Sequence, residues 1–323
     1  MDRGACALLI LLASVPPAAA QPPSTGSGQG FPTKPIRLIV GPGSDLVARL
    51  VGSRLTPMWG QQIVVDARPG AGGAIALETV AKANPDGYTW LLSTAVYTIH
   101  AALYEKPAAD LGRDFAPVTN LASASFFLLV HPSVPAKSVH ELIELARAKP
   151  GQLNYASAGV GTPPHLAAEM FKSMAKIGIV HVPYKSVAIG MTDLLAGQVQ
   201  LTFQFAPTVL PHMKAGRLRA LGVSSLRRYV LAPDVPTLSE SGLAGFEVIG
   251  WNGVHVPKGT PAAVVAKMNA DIRQVLKLPD VQERLLASGL DEAGAPVEDF
   301  AAFVKRDIAR FSKVIKEAGI RPE

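Results

Sequence analysis

The chain has a single cysteine, Cys6, and it lies in the first few residues. Without a second cysteine there is no intrachain disulfide, and one thiol alone builds no cysteine-based metal site. Charged residues are also sparse, at 17%, and aromatics are fewer still, at 6%. A disordered, solvated chain would carry more charge and less apolar residue than the 48% found here, so a globular protein with sizeable cores is expected. Apolar runs are short. The longest early one, ALLILLASV (7–15), falls well below the roughly 20 residues that span a bilayer. Nucleotide and hydrolase signatures are missing too. There is no G-x-x-x-x-G-K-[ST] and no H-E-x-x-H, and GPGSDL and GVGTPP each fail the last position of G-x-G-x-x-G. LGVSSL has leucine where a nucleophile elbow needs glycine.

The short apolar run has a function of its own. Arg3 precedes it and Ala18-Ala19-Ala20 follows it, the layout of a secretory signal peptide spanning 1–20. Cys6 sits before the run, where it serves no lipid anchor. Cleavage near Ala20 leaves a cysteine-free chain, which suits an oxidising compartment. Residues 21–30, QPPSTGSGQG, read as a flexible leader. The signal carries one Arg and one Asp, so the net charge stays +6 after its loss. That excess favours anionic partners in general. The basic stretch at 214–228 is not a nucleic-acid surface. It lacks interleaved aromatics, and its charges alternate with strand-type apolar residues.

From residue 35 strand and helix signals alternate, which argues for βαβ units and mostly parallel sheet. PIRLIV is a strand, and SDLVARLVGSRLTPMW is an amphipathic helix. QQIVVDAR and YTWLLST are strands on either side of a glycine turn and short helix. Ser138 with Glu141 forms a capping box, and Thr162 before Pro163 caps another helix. FFLLVHPSVP and FEVIGWNGVHVPKGTP echo one another, each an apolar strand running into a proline turn. They mark where the chain crosses between two lobes and returns. The expected division is 31–120 plus 252–323 for lobe one and 121–251 for lobe two.

Four loops follow predicted strands: GPGSD (41–45), RPGAGG (68–73), Ser93-Thr94 and SAGVGTPPH (157–165). Open α/β sheets bind ligands beyond the carboxyl ends of their strands. Three of these loops enter helix N-termini, where free N–H groups and the positive dipole end attract carboxylate or phosphate. Ser44, Ser93, Ser157 and Thr162 offer hydroxyls. Taken singly, each loop reads as a tight strand–helix turn. Together, in both lobes, they point to one anion cleft. His165 and Glu169 lie four apart on one helix face, too few ligands for a metal site. His131, His181 and His255 sit in strand contexts and read as packing residues.

The segments KPIRLIV, ARPGAGGAIALETVAKANPDGYTWLL, SAGVGTPPHLAAEMFK, VPYK, PDVPTLSESGLAGFE and GWNGVHVPKGTP, in that order, resemble the substrate-binding proteins of tripartite tricarboxylate transporters, the Bug or TctC-like family. The resemblance runs from residue 34 to about 261. It implies an α/β, two-lobed periplasmic-binding-protein fold, a type II-like Venus flytrap with a mixed, mostly parallel sheet in each lobe. It implies a receptor without catalysis, metal or cofactor, holding a small organic carboxylate for integral-membrane permease subunits. A monomer with no nucleic-acid partner is expected. The family's site, carried onto this chain, falls on Gly43, Ser44, Asp45, Gly70, Ala71, Gly72, Ser93, Thr94, Ser157, Gly161, Thr162 and Ser186. His165 joins these from the helix after SAGVGTPP.

The chain departs from that pattern. GPGSD is shorter than the family's usual PFPPGGGTD, and Ala67 and Ala74 stand where the family usually has Asn. FQFAP (203–207) replaces FDNLP, so Gln204 and Phe205 become candidate contacts. Gln204 in place of an Asp argues against an amine-bearing ligand, and Phe205 can face an apolar or aromatic one. Two other readings remain open at this point. One is a sensor subunit on the same fold, and the other is an exported hydrolase using Ser157 with His165.

Overall fold

The computed structural model describes residues 30–41, 43, 45–104 and 107–321. The expected signal peptide, the leader up to residue 29, and Ser44 lie outside the described residues. The first part alternates β1 (Ile36–Val40), α1 (Leu46–Trp59), β2 (Ile63–Ala67), a 3-10 turn (Ala71–Gly73), α2 (Ala74–Ala81), β3 (Thr89–Thr94) and α3 (Ala95–Leu103). A short α4 (Leu111–Asp114) leads into β4 (Phe115–Val130). Then come α5 (Val139–Ala148), β5 (Asn154–Ser157), α6 (Pro163–Ala175), β6 (Val180–Pro183), α7 (Val187–Leu195), β7 (Leu201–Phe205), α8 (Ala206–Lys214) and β8 (Arg219–Val223). The chain returns through β9 (Ile249–Pro257) and ends with α9 (Ala262–Leu276), α10 (Pro279–Ala287), β10 (Asp291–Glu292) and α11 (Val297–Ala318).

The strands lie in the order β2-β1-β3-β9-β4-β7-β5-β6, with β10 and β8 paired to β4 off that path. β1 pairs in parallel with β2 and β3, and β5 pairs in parallel with β6 and β7. Between these two parallel groups runs β4, which both halves share. From Phe115 to Ser125 it lies antiparallel to β9, and from Phe126 to Val130 antiparallel to β7. The crossing expected at 120/121 therefore falls inside the β4–β9 ladder, and the partner changes at Ser125/Phe126. Two register shifts interrupt that ladder, at Pro117/Thr119 and Asn120/Ala122. Such bulges bend a strand and increase its twist.

Alternation along the strands puts apolar side chains on both faces. Leu38 and Val40 pack with Leu50, Val51, Trp90 and Met268, whereas Ile39 packs with Leu77, Leu91, Trp251 and Phe300. Burying a side chain of this size contributes about 1.5–3 kcal/mol each. In the other half Leu128 and Val130 face Tyr155, Phe171 and Phe203, while Phe127 and Leu129 face Leu194 and Val209. Ile99 of α3 and Phe311, Val314 and Ile315 of α11 join this second core. Two helices that follow first-half strands thus brace the second half.

Local signals are honoured with small changes. Ser138 Oγ accepts from the Glu141 N–H at 3.1 Å, and Glu141 returns the bond to the Lys137 N–H at 2.8 Å instead of to Ser138. Asp45 precedes α1 without capping it, because its Oδ2 accepts from Arg49 Nε at 2.7 Å. α3 and α8 have no counterpart in the sequence reading. α8 contains Pro207 and Pro211, residues that suggest a loop. Pro207 is tolerated because it lies in the first turn, where its missing N–H has no intrahelical partner to lose.

Gly253 shows how closely α11 sits on β9. A Cβ there would overlap the Phe300 ring and lie 3.1 Å from the Thr119 carbonyl oxygen. Phe300 is fully buried, with its ring against Trp251, His255 and Phe303. Gly253→Ala is expected to cost about 1–3 kcal/mol, read as a lower urea midpoint with an unchanged slope. A wild-type midpoint would contradict this packing.

Candidate functional site

A cavity of about 750 Å³ lies where the two halves meet. The strand ends build it. Gly43, Leu46 and Val47 come from the β1–α1 connection, and Thr94, Ala95 and Val96 from the β3–α3 junction. Ala158, Thr162, Pro163 and Pro164 come from the loop before α6, and Val187 from the start of α7. Gln204, Phe205, Pro207 and Thr208 come from the β7–α8 junction. Trp251 and Asn252 of β9 complete the wall.

Five helices, α1, α3, α6, α7 and α8, thus present their N-terminal turns to one cavity. Each such end carries about half a positive charge. Among the described residues no Asp, Glu, Lys, Arg or His lines the cavity. The helix ends, and no cationic side chain among the described lining residues, are therefore what this wall offers an anion. Donors are not equally available at each end. Pro163, Pro164 and Pro207 have no N–H, and the Val96 N–H bonds Thr94 Oγ1 at 3.3 Å.

The candidate residues divide by what their strands allow. Gly43, Thr94, Thr162, Gln204 and Phe205 line the cavity together. Gly43 has φ 112°, a conformation that suits glycine and turns the loop toward α1. Thr162 Oγ1 donates to the Gly159 carbonyl at 2.7 Å, which tightens the loop before α6. Asp45, half-buried, is held by Arg49 and is not among the lining residues. Gly70, Ala71 and Gly72 form an exposed turn outside the lining. Ser93 points into the core, where its Oγ lies 2.7 Å from Nδ1 of buried His255. Ser186 caps α7 by accepting from the Ile189 N–H at 3.4 Å, and only its neighbour Val187 reaches the cavity. Ser157, Gly161 and His165 lie behind the wall, in a network described below.

Sequence reasoning passes over Trp251 and Asn252. The signal available is GWNG, a polar residue between glycines in an otherwise apolar strand. Trp251 is held in place by its indole N–H, which donates to Asp307 Oδ2 at 3.1 Å. The same carboxylate accepts from Thr98 Oγ1 at 2.7 Å, and its other oxygen meets Arg310 at 3.4 Å. Asp307 is fully buried, and burial pushes its pKa up while these partners oppose the shift. Phe205 stacks on Phe126 with centroids 4.0 Å apart.

Residues 47–320 match the family described as tripartite tricarboxylate transporter family receptor. The chain belongs to this receptor family. The receptor is 38% identical to the UPF0065 protein in the tcbD-tcbE intergenic region of Pseudomonas sp. (strain P51), over 89% of this chain and 87% of that protein. It is similar to R. palustris Rpa4515, solved with adipate, at 35% identity and TM-score 0.75, covering 91% of this chain and all of that one. It is also similar to MatC of Rhodopseudomonas palustris, solved with bound malate, at 31% identity and TM-score 0.70, covering 88% and 100%.

Behind the α6 end of the receptor's cavity three rings stack. His181 lies between Tyr155, at 4.8 Å, and His165, at 4.1 Å. Ser157 Oγ bonds His181 Nε2 at 2.6 Å, and His165 Nδ1 accepts from the Gly161 N–H at 3.1 Å. Glu169 is occupied by the Tyr155 hydroxyl at 2.5 Å and Lys172 at 2.7 Å. His181 is therefore more than a packing residue, since it supports the loop that enters α6.

Burial, reinforced by the nearby His181, lowers the His165 pKa to about 4 from 6.5. Below about pH 6.5 the unfolded chain takes up a proton that the folded one refuses. His165 thus gives its full stabilisation above that pH, and the contribution is lost as pH falls toward 4. Buried His255, lowered to about 3, acts in the same sense. His165→Asn keeps an acceptor for Gly161 but cannot titrate. Urea unfolding between pH 7 and 4 should show a shallower loss of stability in this variant than in wild type. Identical slopes would contradict the assignment.

Proposed function

We propose that this receptor captures a small organic carboxylate in the cleft between two lobes and delivers it to integral-membrane permease subunits. The lobes are residues 31–120 with 252–323, and residues 121–251. The observation that carries this reading is the convergence of five helix N-termini on a cavity that no ionisable side chain among the described residues lines. Such a cavity offers dipoles and neutral donors to an anion and nothing to neutralise a cation. Lobe closure around the ligand would expel water and strengthen those bonds. The adipate and malate bound by the two R. palustris proteins agree with a carboxylate here. The protein acts in the periplasm, as a monomer, after removal of its signal near Ala20. No helix among the described residues is long and apolar enough to cross a membrane.

The reading assigns no catalytic step and no metal or cofactor. In support, Ser157 is buried, bonds His181 instead of the expected His165, and is absent from the cavity lining.

A thermal-shift screen against small organic acids tests the proposal. A bound acid at about a hundred times its Kd should raise Tm by roughly 4 °C for a chain of this size. Mass spectrometry should recover that acid unchanged. Shifts given only by sugars or cations would overturn the reading, and conversion of the acid would favour a hydrolase.

A further inference from the structure

Gln204, one residue before the end of β7, has 3% of its surface exposed, yet it lines the cavity. No hydrogen bond to its amide is formed among the described residues. Asn252 also lines the cavity with a side-chain amide that lacks a partner among the described residues. It sits on β9 opposite Thr94, the cap of α3. Neither amide is sealed from the cavity, and Asn252 is only half-buried, so each can exchange water for a polar ligand atom; left unpaired beneath a bound ligand, such an amide would be costly. One comes from each half of the molecule.

Much of the remaining wall is apolar, with Phe205, Trp251, Leu46, Val96, Val187 and Leu290 contributing. Gly250 lets Phe205 come close, because a Cβ there would lie 2.6 Å from its ring. The polar side chains of the lining are Thr94, Thr162, Thr208, Ser288, Gln204 and Asn252, so a hydroxyl on a ligand body laid against the rings, away from these groups, would lose water without replacing its bonds. An ammonium group would fare worse, surrounded by positive helix ends with no carboxylate among the described residues lining the cavity.

We propose, resting on the carboxylate-receptor reading above, that the ligand has an unsubstituted apolar body and no amine. Its carboxylate takes the Gln204 amide, and its body lies on Phe205 and Trp251. This narrows the class to alkyl or aromatic acids and sets aside hydroxy acids and amino acids.

Isothermal titration of the signal-free receptor with adipate, benzoate, malate, citrate and glutamate tests the proposal. Adipate or benzoate should bind at least about tenfold more tightly than the other three. Gln204→Glu keeps the side-chain shape but sets a carboxylate against the ligand's own. Gln204→Met keeps the length and removes the donor. Each should weaken the preferred acid at least about tenfold. Unchanged affinity in a folded variant would overturn the role of Gln204. Equal or tighter binding of malate, citrate or glutamate would overturn the ligand class and leave the carboxylate receptor standing. Failure of all five acids to bind would overturn both.

Discussion

Strand β4 passes from one half of the sheet to the other without a break, held along Phe115–Ser125 by β9. The cleft depends on that ladder. In each half, parallel strands end where helices begin, so backbone N–H groups and positive dipole ends gather at the strands' carboxyl edge. Because β4 and β9 run between the two groups, the edges open on one cavity. α3 and α11 limit how freely the halves move. Each follows first-half strands and buries apolar side chains in the second core, through Ile99 and through Phe311, Val314 and Ile315.

The cleft's electrostatics follow from how it avoids buried charge. An unpaired lysine or arginine in an empty cavity would be desolvated at a cost of several kcal/mol. Helix ends carry no such penalty, because their dipoles belong to the backbone. The charged groups nearby are paired behind the wall. Asp307 orients Trp251, and Glu169 is satisfied by Tyr155 and Lys172. Among the described residues the surface facing the ligand therefore has no ionisable side chain, is shaped largely by ring and aliphatic walls, and meets charge with helix ends.

The parts of this site that are legible in the sequence are those with local causes. Gly43 lies in a glycine turn, Thr162 precedes a proline at a helix start, and Gln204 and Phe205 close an apolar strand. Adjacent hydroxyls cannot be sorted this way. Ser93 and Thr94 look alike in sequence, and the pleat sends Ser93 to His255 while Thr94 reaches the cavity. Ser157 is likewise drawn inward by His181, a residue 24 positions away. Gly70–Gly72 makes the tight turn its glycines suggest, yet that turn faces solvent. Trp251 and Asn252 carry no local motif. Their place depends on the pairing of β9 with β3 and β4, a long-range contact.

The central claim is that helix ends and neutral amides hold the ligand's charge. The most direct test is a crystal structure of the receptor with its acid bound. The account predicts carboxylate oxygens within hydrogen-bonding distance of first-turn N–H groups at the cleft and of the Gln204 amide, with no lysine or arginine beside them. A carboxylate paired with a basic side chain, or an acid bound outside the cavity, would contradict it.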